Sequence, residues 1–227
     1  MEKTSIPFNQ PFVTGNELDY IHDVFSQGHF SGNGKYTKLS QEWLEDYFGC
    51  KKVLLTHSCT GALEIASLLL GLGPGDEVIL PSFTFVTTAS SIMRTGARPV
   101  FCEIDSETMN IDHNDVESRI NNNTRAIVPV HYAGYSANMD SILELSAEHS
   151  IPIIEDAAQG LGSSWKGKPL GTLSNLGCIS FHETKNLHSG AGGMLVVNNK
   201  KYLNKIRIIH DKGTNRYLMN LKKIKYY

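Results

Sequence analysis

The sequence is poor in the features that mark several large classes of protein. Only four of its 227 residues are cysteine, Cys50, Cys59, Cys102 and Cys178, and no C-x-x-C pair occurs. Spacing this wide argues against a zinc site or a redox motif, and reads as small core residues in a reducing compartment. No run approaches the ~20 apolar residues of a membrane-spanning helix. The start carries Glu2 and Lys3 without the apolar stretch of a secretory signal. Net charge is −2 with no basic block or stripe, so neither nucleic acid nor a membrane is an expected partner. A G-x-x-x-x-G-K-[ST] phosphate loop, internal repeats and low-complexity tracts are missing too. A cytoplasmic globular protein is expected, with 41% hydrophobic residues and enough chain for one sizeable core.

What is present has a rhythm. Residues 1–15 read as an extended arm, with Pro7 and Pro11 blocking helix interiors. Helices are expected over 16–25, with Asn16 as a possible cap and Leu18, Ile21 and Phe25 on one face, and over 36–48, with Leu39, Trp43, Leu44 and Phe48 as the inner face. From Val53 onward short apolar strands alternate with helical stretches every 20–30 residues or so. That pattern argues for an α/β fold, a mostly parallel sheet with helices on both faces. Only the strand at 193–197 follows its predecessor by a short link, so it is the one expected to run antiparallel.

Two stretches carry chemistry. Ile151 to Asp156 is an apolar strand ending in an acid, and Gly177 to Phe181 is a buried strand followed by a polar turn with Lys185. In open parallel sheets ligands bind beyond the carboxyl ends of the strands, where both residues fall. Burial beside such a strand end disfavours an ammonium and makes the amine nucleophilic, as a carbonyl-binding lysine requires. The plainer alternatives are a solvated lysine and an N-capping aspartate. His57-Ser58-Cys59-Thr60-Gly61 joins a strand to a helix; it suits an anion at the helix N-terminus, or simple capping by Ser58 or Thr60. Phe85, at another strand end, reads as a core aromatic or as a platform for a flat ring. His131 reads as a ligand contact or, more simply, as a hydrogen-bonded interior histidine.

Taken together, Glu155-Asp156-Ala157-Ala158-Gln159, Ser180-Phe181-His182-x-x-Lys185-Asn186 and Gly192-Gly193 resemble the DegT/DnrJ/EryC1/StrS sugar aminotransferases, from about residue 6 to about residue 216. The resemblance implies the large domain of a type I pyridoxal 5′-phosphate (PLP)-dependent transferase. It assigns Lys185 as the catalytic residue that carries the cofactor and moves the proton. It assigns Asp156 to the pyridine nitrogen, Gln159 to the phenolic-oxygen side and Phe85 to the ring face. Thr60 and Gly61 amides and the Ser180 hydroxyl would hold the phosphate. Implied partners are glutamate, a nucleotide-sugar substrate and a second copy of the chain in a homodimer.

The runs Ser82–Val86, Pro129–Gly134, Phe181–Asn186 and Lys212–Arg216 resemble members that aminate C4 of a dTDP-linked 4-keto-6-deoxyhexose for surface polysaccharide or common antigen. Two departures accompany the likeness. Ala191 stands where the family usually carries an acid. Residues 217–227 do not resemble the family's next segment, so the expected organisation is a PLP-binding large domain over 1–216 and a divergent tail, with the family's small C-terminal domain absent. The runner-up expectation is a remnant that binds PLP without turnover.

Overall fold

The computed structural model describes residues 5–7, 9–220 and 222–225. Parts of the expected arm (1–4 and 8) and tail (221, 226 and 227) therefore lie outside the described residues. In chain order, helices α1 (Glu17–Gln27) and α2 (Lys35–Phe48) precede strand β1 (Lys52–Thr56) and α3 (Cys59–Leu70). Then follow β2 (Glu77–Pro81), α4 (Val86–Met93), β3 (Arg98–Cys102), α5 (His113–Arg119), β4 (Thr124–Ile127), a single 3-10 turn (Tyr132–Gly134), α6 (Met139–His149) and β5 (Ile154–Asp156). A small hairpin, β6 (Ser164–Trp165) and β7 (Lys168–Pro169), leads to β8 (Leu176–Ser180) and β9 (Gly193–Val197). The chain continues through a second 3-10 turn (Lys200–Tyr202) to α7 (Leu203–His210) and α8 (Arg216–Asn220), so α8 crosses the expected boundary at residue 216.

The strands lie in the orders β1-β9-β8-β5 and β3-β2-β4. Parallel bridges Ile127 to Ile153 and Val130 to Asp156 join the two groups into one seven-stranded surface. β2 runs parallel to β3 and β4, and β5 to β8, while β9 runs antiparallel to both its neighbours. The short β8–β9 connection allows nothing else, as the sequence suggested.

β2, β8 and β9 are buried at every position. Covered on both faces, they read as continuous apolar runs rather than as alternation. The alternation reappears in which core each residue enters. Leu195 and Val197 pack with Leu63 and Ala66 of α3 and Ile206 of α7, whereas Met194 and Val196 pack with Leu44 and Phe48 of α2. A third cluster places Ile79, Ile127 and Ile153 against Val116 of α5 and Ile142 of α6. All parallel strands thus deliver their carboxyl ends to one edge, and the site sits there.

Some expectations fail for a common reason. Leu18, Ile21 and Phe25 do share a face of α1, but all three are exposed and α1 buries nothing. Leu39 and Trp43 are exposed as well, and only Leu44 and Phe48 of the expected α2 face enter the core. Helical periodicity shows that an apolar face exists, not that this chain covers it. Asn16 occupies the N-cap position of α1 without a side-chain bond. Glu17 instead fastens the turn that leads into the helix, accepting from Thr14 N–H and Gly15 N–H at 2.7 and 2.8 Å.

Candidate active site

The carboxyl ends of β2, β4, β5 and β8 surround a cleft of about 280 Å³. Lys185, Asp156, Gln159 and Phe85 all line it, although they come from three separated stretches.

Asp156 ends β5 and is buried. Its Oδ2 accepts from the Thr88 hydroxyl at 2.7 Å, and its Oδ1 from Ala158 N–H at 3.2 Å. Because the Thr88 proton goes to the carboxylate, Thr84 Oγ1, 2.7 Å from Thr88 Oγ1, is the donor of that second bond. Burial pushes the Asp156 carboxyl above its ordinary value, and the Thr88 and Ala158 hydrogen bonds pull the other way. No ion pair to Asp156 is found among the described residues; dipoles hold its charge at close range, and Lys185 acts on it from farther off.

Lys185 lies in a loop that is tied at several points. Within the loop, Lys185 N–H donates to His182 O and Glu183 N–H to Gly190 O. Asn186 Nδ2 donates to Leu161 O at 2.6 Å. The N-terminal arm crosses the same loop: Asn9 Nδ2 donates to Glu183 O at 2.9 Å, and Phe12 N–H to His188 at 3.1 Å. The expectation of a well-desolvated lysine holds only in part. Lys185 is half-buried and residues 182–184, 186 and 187 are exposed, so walls shield it on the cleft side alone.

Phe85 is not a core aromatic; it is 72% exposed at the cleft mouth, just before α4. Gln159 is exposed and holds the opposite wall, its Oε1 accepting from Ala133 N–H at 2.8 Å. Ala133 adopts a left-handed φ of 53° in the Tyr132–Gly134 turn, and the glutamine bond fastens that conformation.

Thr60, Gly61 and Ser180 do not line the cleft; they gather beside it at the N-terminus of α3. Ser180 pairs with Gly193 across β8–β9, and Gly193 pairs with Thr56 across β9–β1. Gly193 in turn presses on Ser58 and Cys59. Ser58 caps α3 by accepting Gly61 N–H at 3.1 Å, so at that amide the capping alternative is realised. The amides of the first helical turn lack partners inside the helix and add a positive dipole end. Cys59 connects the two groups: its thiol is pushed well up by burial, next by the charge of Asp156, while Lys185 opposes the shift.

Sequence reasoning missed Thr84 and Thr88, whose four-residue spacing on a helix start is the only local signal, and Phe83 and Tyr132, whose rings meet at 4.6 Å beside the cleft. The interior reading of His131 holds: it is fully buried, with Nε2 3.0 Å from Glu155. No helix among the described residues is long and apolar enough to cross a membrane.

A model of the DegT/DnrJ/EryC1/StrS aminotransferase family matches residues 12–225. The spore coat polysaccharide biosynthesis protein SpsC of Bacillus subtilis (strain 168) is 35% identical over 215 residues, covering 95% of this chain and 55% of that protein. The GDP-perosamine synthase of Caulobacter vibrioides is 36% identical over 203 residues, covering 89% of this chain and 55% of that protein. Among solved structures, the aminotransferase TlmJ from Streptoalloteichus hindustanus superposes with a TM-score of 0.88 at 36% identity, covering 94% of this chain and 58% of that one. The chain thus spans about half the length of the curated relatives it matches.

Proposed function

The chain belongs to the DegT/DnrJ/EryC1/StrS aminotransferase family, whose members are PLP-dependent enzymes, and from that premise we propose that the cleft binds PLP for amination of a nucleotide sugar. The observation that carries the reading is the convergence of Lys185, Asp156, Gln159 and Phe85 on one cleft at the strand ends. The donor set fits the group. A buried carboxylate with no ion-pair partner among the described residues suits a protonated pyridine nitrogen. An exposed aromatic beside it suits a flat ring, and the start of α3 with the Ser180 hydroxyl suits a phosphate.

When bound, PLP would supply an electron sink for amino transfer. The protein's own residues would do the rest. Lys185 would hold the cofactor covalently and, once released, carry a proton on Nζ between cofactor and substrate carbons. Asp156 would keep the pyridine nitrogen protonated, with Thr88 and Ala158 N–H fixing its orientation. Gln159, fastened to Ala133, would present its amide nitrogen to the ring's oxygen side.

The donor would be glutamate and the acceptor C4 of a nucleotide-linked 4-keto-6-deoxyhexose, of the dTDP-4-dehydro-6-deoxyglucose type, in cytoplasmic steps of surface polysaccharide or common antigen synthesis. The motifs at 82–86, 129–134, 181–186 and 212–216 support that choice. Names of relatives that refer to perosamine and to a spore coat polysaccharide agree with it in class. Residues 1–216 would form the PLP-binding large domain. The exposed apolar faces of α1 and α2 support a homodimer.

The test is an absorbance titration of the purified chain with PLP, followed by borohydride reduction and peptide mapping. A reducible visible band trapped on Lys185 is the expected result. No band, or label elsewhere, overturns the reading. Assay of the same sample with glutamate and sugar nucleotide then separates turnover from binding alone.

A further inference from the structure

Consecutive residues of a strand point to opposite faces, and at the end of β5 both are acids. Asp156 turns toward Thr88 of α4. Glu155 turns the other way, is fully buried, and lies outside the cleft. Its carboxylate is surrounded by donors. Gly171 N–H reaches Oε2 at 2.8 Å, Ser174 N–H and the Ser174 hydroxyl reach Oε1 at 2.7 and 2.9 Å, and His131 Nε2 lies 3.0 Å from Oε2.

His131 is equally buried, is among the residues at the cleft wall, and follows Val130, the bridge partner of Asp156. Its backbone N–H donates to Asp156 O at 3.0 Å. Its Nδ1 accepts Ala137 N–H at 3.2 Å. A ring nitrogen that accepts a hydrogen bond carries no proton, so the single proton sits on Nε2 and is donated to Glu155. A doubly protonated ring would aim its Nδ1 proton at the Ala137 N–H.

We infer that Glu155 is a positioning residue, which locks His131 as the neutral, Nε2-protonated imidazole and so leaves Asp156 without a cationic neighbour on its own wall. The inference deepens the proposed function and rests on it for its consequence. An imidazolium at this place would neutralise Asp156 from behind and compete with a cationic ring nitrogen in the cleft. With the proton parked against Glu155, the charged groups facing Asp156 reduce to Lys185 across the cleft. The lock also reaches Gln159, because the turn after His131 is held by Tyr132 N–H on Asn110 Oδ1 and by Ala133 N–H on Gln159.

The test has two arms on the full chain. The first needs no cofactor: a long-range proton–nitrogen correlation spectrum of the histidine-labelled protein, with His131→Asn assigning the signals. Wild type should show His131 with a protonated Nε2 and a bare Nδ1 at pH 7.5. In Glu155→Gln the side-chain amide can accept from the ring or donate to it, so the single form should give way to a mixture of tautomers. An imidazolium or an Nδ1-protonated ring in wild type overturns the inference. So does an unchanged tautomer in a folded Glu155→Gln; if that variant does not fold, the wild-type spectrum decides alone.

The second arm is the PLP titration. Glu155→Gln should bind PLP roughly tenfold or more weakly than wild type, the scale of one lost charge-assisted hydrogen bond. Equal affinity with an altered tautomer overturns the link to Asp156. Wild type failing to bind PLP overturns the cofactor reading, while the first arm still decides the Glu155–His131 lock.

Discussion

Gly193 lies so close to Ser58 that a Cβ placed on it would stand 2.4 Å from the Ser58 carbonyl carbon and 2.4 Å from Cys59 N. Both contacts are backbone, so neither can swing aside. The glycine is required by space, and it is what lets β9 run directly beneath the start of α3. Gly193→Ala should lower stability by about 1–3 kcal/mol, as overpacking of a dense site does. It should also weaken PLP binding, because the phosphate end would be pushed away from Ser180. Thermal denaturation and a PLP titration check the two effects; a variant as stable as wild type would show that the α3 start yields freely.

Thr88 is the least visible part of the site and one of the easiest to test. Its hydroxyl is buried and joins Thr84 to Asp156. Thr88→Val keeps the shape and removes both bonds, leaving the carboxylate one donor short. A loss of about 1–3 kcal/mol is expected from an unsatisfied buried polar group. Denaturant titration at neutral pH reads it, and an unchanged midpoint would mean that water replaces the hydroxyl.

The two principal candidates were legible for opposite reasons. Asp156 stood out because an apolar strand ends in acid, and Lys185 because a lone lysine follows another such strand. Thr88 gave no such signal: its partner is 68 residues away, and only the sheet brings them together. The strand pattern was readable because β2, β8 and β9 are buried throughout. The β6–β7 hairpin was not, since its turn uses Lys166 at φ 48° and Gly167 at φ 79° in place of the Asn-Gly that advertises such turns. Trp43 was misplaced toward the core and Phe85 was left open between core and platform, because size and apolarity do not reveal which aromatics stay exposed.

Phe85, standing in the open at the cleft mouth, should matter to the cofactor and little to the fold. Stacking on an aromatic ring is worth about 0.5–1.5 kcal/mol beyond area burial, so Phe85→Ala should weaken PLP binding roughly two- to tenfold or somewhat more. Its melting temperature without PLP should stay near wild type. A large drop would reassign Phe85 to packing.

Glu17 offers a titration far from the cleft. Backbone N–H groups, above all that of Thr14, hold its carboxylate down to about 2. A depressed folded value means that the contribution of these bonds is present above the ordinary carboxylate range and is lost as pH falls toward 2. The amide resonances of Thr14 and Gly15 should therefore move together, with a midpoint near 2. A midpoint near 4.5 would mean that these bonds are not formed in solution.

Asp156 gives the opposite sign. Burial raises its folded value above 3.8, so the folded chain keeps its proton to higher pH than the unfolded chain does. Between those two values the folded state binds more protons, and stability falls as pH rises. Above both values the cofactor-free protein carries that cost in full. Asp156→Asn removes it while leaving an amide to meet Thr88 and Ala158. The variant should therefore melt higher than wild type at pH 7.5 without PLP, and its stability should lose the decline on the acid side. In return it should bind PLP poorly, because a neutral amide gives a cationic ring nitrogen no counter-charge. Melting curves from pH 4 to pH 8, with and without PLP, read both effects in one experiment. A variant that is less stable at neutral pH would show that the Thr88 and Ala158 bonds outweigh the desolvation of the charge. A variant that binds PLP as well as wild type would remove Asp156 from the site.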